Sequence, residues 1–118
     1  MSASAVPKPV RGEVWLATLD PVRENEQGGT RPVVIISANL LNRGRSGLVI
    51  VVPTTTRERE LPWHVAIDPP EGGLRRRSFV KCEDIRSVTI ARLHDRWGII
   101  SPHTMELIED RVRVLLNL

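Results

Sequence analysis

The chain has 118 residues, the size of one domain, with 41% hydrophobic residues, a net charge of +3 and a sequence pI near 10.0. No apolar run approaches the roughly 18 residues of a membrane span, the single cysteine, Cys82, excludes an internal disulfide and a cysteine-based zinc cage, and the N-terminal stretch lacks the basic head and apolar centre of a secretory signal, so a cytoplasmic location is expected. Of the 17 basic residues only Lys8 and Lys81 are lysine, a bias toward the planar guanidinium fork that reflects either a polyanionic partner or a GC-rich coding sequence.

Residues 1–10 mix small residues with Pro7 and Pro9 and read as a flexible tail before a domain over residues 11–118. Glu13 to Thr18 alternates as a strand, Pro21 to Thr30 is a polar, glycine-containing loop, and Pro32 to Ser37 is β-branched and apolar, so the three form a hairpin with a long tip. Ala38 to Arg45 reads as a short helix ended by Gly44 and Gly47, and Leu48 to Thr54 as a buried strand. His64 to Ile67 alternates briefly before the turn formers Asp68 to Gly73. Ser78 to Ile85 and Val88 to Leu93 are expected to be two more strands. Ser101-Pro102 then has the form of an N-cap and first helical residue, with Met105, Ile108, Val112 and Leu115 at helical spacing behind it. The expectation is a mainly β (α+β) domain: a small, strongly bent sheet or barrel with one C-terminal helix packed on its side.

The residues alone leave each chemical candidate with two readings. Arg31, where the polar loop enters an apolar strand, is either a structural ion pair or a functional cation. Thr54, Thr55 and Thr56 follow Pro53 and either satisfy a turn or hydrogen-bond a phosphate. Arg75-Arg76-Arg77 beside Gly72-Gly73 is either a phosphate clamp or a solvated loop. Lys81 and Glu83 alternate onto one strand face as either an acid–base or a surface ion pair. His64, His94 and His103 stand in separate segments without metal-ligand spacing, so no metal is expected. With four aromatics, Trp15, Trp63, Phe79 and Trp97, an aromatic stacking platform is not assumed.

Five ordered blocks then carry a resemblance: Gly12-Glu13-Val14-Trp15; Glu26 to Ser37, with Thr30-Arg31-Pro32 at its centre; Val52-Pro53-Thr54-Thr55-Thr56; Leu61-Pro62-Trp63-His64-Val65; and Ser78 to Val88. Over Gly12 to Leu116 the chain resembles the MazF/PemK family. The resemblance implies an SH3-like small barrel of twisted antiparallel strands with a C-terminal helix, assembled as a homodimer. It implies the toxin half of a type II toxin–antitoxin pair, which cuts single-stranded RNA (mRNA, tRNA or rRNA) to 2′,3′-cyclic phosphate and 5′-hydroxyl ends. No metal or cofactor takes part, and the partner antitoxin carries an acidic disordered segment.

Carried over residue by residue, the resemblance makes Arg31 and Thr55 the catalytic pair. It makes Glu24, Gln27, Thr54, Thr56, Arg57, Lys81 and Glu83 RNA-binding residues. Where the family pattern has Gln after the acidic residue of the last block, this chain has Asp84. The competing readings are a non-catalytic nucleic-acid-binding module and a gyrase-directed toxin of the same shape.

Overall fold

The computed structural model describes residues 8–19 and 29–118. Among them β1 (Glu13–Thr18), β2 (Thr30–Ile35), β3 (Leu48–Thr55), β4 (His64–Ile67), β5 (Ser78–Lys81), β6 (Arg86–Thr89) and β7 (Leu93–Ile99) form one antiparallel sheet in the order β4-β5-β3-β2-β1-β7, with β6 also paired to β3. A one-turn helix, α1 (Asn39–Asn42), links β2 to β3, and α2 (Pro102–Leu116) ends the chain.

The central strands are apolar on both faces because both faces are covered. Trp15, Ala17, Val33, Ile35, Val49 and Val51 point into one core, closed by Val88, Ile90 and Leu93. Val14, Val34 and Val52, the alternate residues of the same strands, point into a second core with Val65, Ile67 and Val80, and α2 seals it with Ile108. Val33, Val34, Val49, Val51 and Val52 are all fully buried, each stabilising the fold by about 1.5–3 kcal/mol relative to an exposed side chain.

β3 bends the sheet. One edge pairs with β2 in the register Val33↔Pro53, Val34↔Val52 and Ile35↔Val51. The other edge pairs first with β6 through Leu48 to Val51, then with β5 through Thr54↔Val80 and Thr55↔Phe79. Pro53, which has no N–H to give the ladder, sits at the changeover.

The local signals of α2 act as expected. The Ser101 hydroxyl accepts the Thr104 N–H at 3.1 Å, Pro102 opens the helix, and Asn117 closes it in the left-handed conformation at φ 59°. Ile108 is fully buried and Met105 and Val112 pack beside it, whereas Leu115 is 38% exposed.

Two expected strands are corrected. Ser78–Lys81 stops at a 3-10 turn over Cys82–Asp84. The next strand runs over Arg86–Thr89, and a second 3-10 turn at Ile90–Arg92 leads into β7, which the hydropathy pattern hid. β7 is an outer strand on β1 whose register is broken twice, and His94, Asp95 and Arg96 are exposed in succession, so period-two alternation is lost.

The opening block owes its residue types to structure. Gly12 has φ +92°, a conformation costly for any side chain. The buried Glu13 carboxylate accepts the Val10 N–H at 2.7 Å, the Trp15 indole N–H at 3.0 Å and the Arg96 Nε–H. Burial pushes its pKa up, but the bonds from Arg96, Trp15 and Val10 outweigh that and hold it below the usual carboxylate value.

Candidate active site

The bend in β3 brings its C-terminal end beside the start of β2, and a cleft of about 320 Å³ opens there. It is lined by Thr30, Arg31 and Pro32 of β2, by Thr54 and Thr55 at the end of β3 and Thr56 just beyond it, and by Leu74, Arg75, Arg76, Ser78 and Trp97.

Arg31 is half-buried, and its Nη1 donates to the Thr54 carbonyl at 3.4 Å. The β2–β3 pairing runs up to Val33↔Pro53. Beyond it the Arg31–Thr54 bond and a bond from the Thr54 hydroxyl to the Pro32 carbonyl hold the two strand ends together, which is why two blocks distant in sequence meet. The Thr55 hydroxyl oxygen accepts the Arg57 N–H at 3.1 Å, a local turn that occupies a lone pair and leaves the hydroxyl proton to donate. An arginine fork and a threonine hydroxyl on one cleft are hydrogen-bond donors suited to phosphoryl oxygens.

The other expected residues divide. Thr54 lines the cleft but is buried, and its hydroxyl donates to the Pro32 carbonyl at 2.8 Å, tying β3 to β2. Thr56 is exposed on the cleft wall, while Arg57 is exposed and supplies the turn N–H to Thr55. Glu24 and Gln27 lie outside the described residues.

Lys81 and Glu83 do not line this cleft, nor do they pair with each other. The 3-10 turn takes Glu83 off the strand face, so Glu83 holds His64 Nε2 at 3.1 Å and Lys81 reaches Asp84 at 3.8 Å. This second cluster lies where β4 and the turn at Cys82–Asp84 touch α2. Among the described residues, no three His, Cys, Asp or Glu side chains group as metal ligands.

Three contributors to the cleft were not among the expected site residues: Thr30 and Ser78, which lie within the resemblance blocks, and Trp97, which lies outside them. Thr30 is linked through the Thr18 hydroxyl, at 3.2 Å, to His94, whose Nε2 lies 2.5 Å from that hydroxyl. The arginine triplet resolves into two parts. Arg77 pairs with Asp68 at 2.8 Å and lies over Phe79, whereas Arg75 and Arg76 line the cleft.

These features define a class: a small basic protein built on one seven-stranded antiparallel sheet with a C-terminal helix, whose cleft is lined by arginines and hydroxyl groups. Residues 10–116 match the family described as PemK-like, MazF-like toxin of type II toxin–antitoxin system, and the chain belongs to that family. It is 33% identical over 109 residues to Endoribonuclease EndoA of Bacillus subtilis (strain 168), across 92% of this chain and 94% of that protein. The fold superposes on MazF from Deinococcus radiodurans with a TM-score of 0.82 at 23% identity, covering 95% of this chain and 99% of that one. A mycobacterial endoribonuclease solved in complex with its cognate antitoxin gives a TM-score of 0.73 at 28% identity, covering 94% of this chain and 95% of that one.

Proposed function

We propose that this toxin is an endoribonuclease that cuts single-stranded RNA at a short sequence and so blocks translation and growth. The neighbouring 2′-hydroxyl gives up its proton and attacks phosphorus, the bond to the 5′-oxygen breaks and that oxygen takes up a proton, giving a 2′,3′-cyclic phosphate and a 5′-hydroxyl. Arg31 donates to the phosphoryl oxygens as negative charge builds on them, and Thr55 donates a further hydrogen bond while holding the scissile phosphate. Arginine stays protonated near neutral pH, so Arg31 acts by charge and geometry rather than by proton transfer. The observation that carries this reading is that Arg31 and Thr55 line one cleft, in a chain 33% identical to an endoribonuclease.

The reaction requires no metal and is tested in excess EDTA. Purified protein should cut a mixed single-stranded RNA pool at a defined motif, leaving cyclic-phosphate ends, and Arg31→Ala and Thr55→Ala should abolish the cuts. Uncut RNA would favour RNA binding without catalysis, or a protein target such as gyrase, and equal cutting by both variants would remove Arg31 and Thr55 from the reaction.

The antitoxin partner engages the basic cleft with an acidic segment and competes with RNA; the mycobacterial relative solved with its cognate antitoxin supports a partner of this kind. The working form is a homodimer, supported by the exposed Val114, Leu116 and Leu118 at the end of α2 and Ile99 at the end of β7. A cytoplasmic location follows from an RNA target. No helix among the described residues is long and apolar enough to cross a membrane.

A further inference from the structure

Arg75 and Trp97 come from different parts of the chain, yet Arg75 Cζ lies 4.4 Å from the centre of the Trp97 ring, and both line the same cleft as Arg31 and Thr55. The contact is built in by the backbone beneath it. Gly72 and Gly73 have φ +68° and +70°, and a Cβ on Gly73 would lie 2.1 Å from the Trp97 carbonyl oxygen. A Cβ on Gly98 would lie 2.7 Å from the Gly72 carbonyl carbon. Two stretches of bare backbone are thus clasped together, and the clasp sets Arg75 over the indole.

Trp97 itself is half-buried and packs against the core beneath α2, so one part of the ring is anchored in the fold while another carries the guanidinium. Arg75 is exposed, and among the described residues neither it nor Arg76 pairs with a carboxylate, in contrast to Arg77. A guanidinium laid on an indole has lost rotamer freedom in advance and keeps its outer face and edge donors for a ligand.

We propose that Arg75, held by Trp97, is a nucleobase-stacking subsite: one base of the substrate beside the scissile phosphate lies on the outer face of the Arg75 guanidinium, and Arg76 meets the next phosphate. Unpaired bases are recognised by stacking on aromatic rings or on guanidinium planes, and such a contact is sequence-tolerant unless edge hydrogen bonds add to it. Arg75 touches the base; Trp97 acts through Arg75 and is a positioning residue. The subsite rests on the ribonuclease reading and deepens it, by giving the cleft a grip on a base as well as on the backbone.

The test uses the full chain and the RNA motif that the wild type cuts. Each nucleotide near the cut is replaced in turn by an abasic unit, and kcat and KM are measured for wild type, Arg75→Gln, Arg75→Lys, Trp97→Phe and Trp97→Leu. In the wild type one position should raise KM by about 5- to 100-fold when its base is removed. In Arg75→Gln and Trp97→Leu the intact substrate should show the same rise, and removal of that base should add little, with the change falling on KM rather than kcat.

Arg75→Lys keeps the charge and loses the plate, so it should behave like Arg75→Gln. Equal abasic penalties in all variants, or wild-type behaviour of Arg75→Lys, would overturn the subsite. Arg75 is exposed, so its variants stay informative if Trp97→Leu fails to fold. If the wild type cuts no RNA, the ribonuclease reading fails separately, and stacking is then read from tryptophan fluorescence on adding single-stranded RNA. Quenching that is absent in Trp97→Phe and with abasic RNA keeps the subsite, and unchanged fluorescence removes it.

Discussion

The Thr55 hydroxyl oxygen accepts the backbone N–H of Arg57 at 3.1 Å, two residues along the same chain, so the turn that ends β3 also aims the hydroxyl proton. Thr55→Val keeps the shape of the side chain and removes that proton. We expect kcat to fall by about 10²–10³-fold, the range for losing one donor to developing charge, while Thr55→Ser retains most activity. A Thr55→Val protein with wild-type kcat on the motif RNA would separate this hydroxyl from the reaction.

Arg31→Lys preserves charge but not the fork. If two-point donation to phosphoryl oxygens is what Arg31 supplies, kcat should drop by at least about 10²-fold with little change in thermal midpoint. The comparison is of single-turnover rates at saturating protein; a lysine variant within a few fold of wild type would reduce Arg31 to a point charge.

Glu13 sets an acid limit on the fold. Its folded pKa is held below the ordinary 4.5, so its contribution is complete at neutral pH and disappears as pH falls from that ordinary value through the lowered one. Glu71 behaves in the same direction: burial pushes its pKa up, but the Ser101 N–H and the hydroxyls of Thr104 and Ser101 outweigh this. Glu13→Gln should therefore lower stability at pH 7 by about 1–3 kcal/mol and lie closer to wild type at pH 3. Thermal melts at both pH values measure this; an equal gap at each would show that the charge of Glu13 contributes nothing.

Two glycines of nearly equal φ separate backbone strain from steric clash. Gly47 has φ +71° and no atom within 4 Å of the place a Cβ would take, whereas at Gly73, φ +70°, that place is 2.1 Å from the Trp97 carbonyl oxygen. Gly47→Ala should cost about 1–2 kcal/mol, the left-handed penalty alone, and Gly73→Ala should cost considerably more or prevent folding. Urea unfolding of the two variants side by side decides it, and equal losses would mean the clasp at Gly73 yields easily.

Cys82 is 1% exposed, and burial together with the Glu83 charge pushes its thiol up to about 12. In native protein it should stay unreactive toward an aromatic disulfide reagent at pH 8 and titrate fully in denaturant. Rapid labelling of the folded protein would mean the core beneath α2 opens readily.

The fold was legible where burial writes a pattern. Val33 to Ile35 and Val49 to Val52 announce strands covered on both faces, and Ser101-Pro102 announces a helix start. β7 was not legible, because a strand that turns His94, Asp95 and Arg96 to solvent carries no alternation. For the candidate site, Arg31 and Thr55 were picked out through the family blocks, since nothing local to either says that the ends of β2 and β3 bring them to one cleft. Trp97 and Ser78 reach the cleft through pairings made far along the chain, which leave no local trace.

A sheet whose central strands are spent on two cores leaves little of those strands on which to lay a ligand. In the proposed function, substrate contact falls to the cleft, where Thr55 ends β3, Arg75 lies in the connection before β5 and Trp97 stands within β7. Exchanges at exposed positions such as Thr56, Arg75 and Arg76 disturb neither core, so contacts in the cleft can change there without loss of the scaffold.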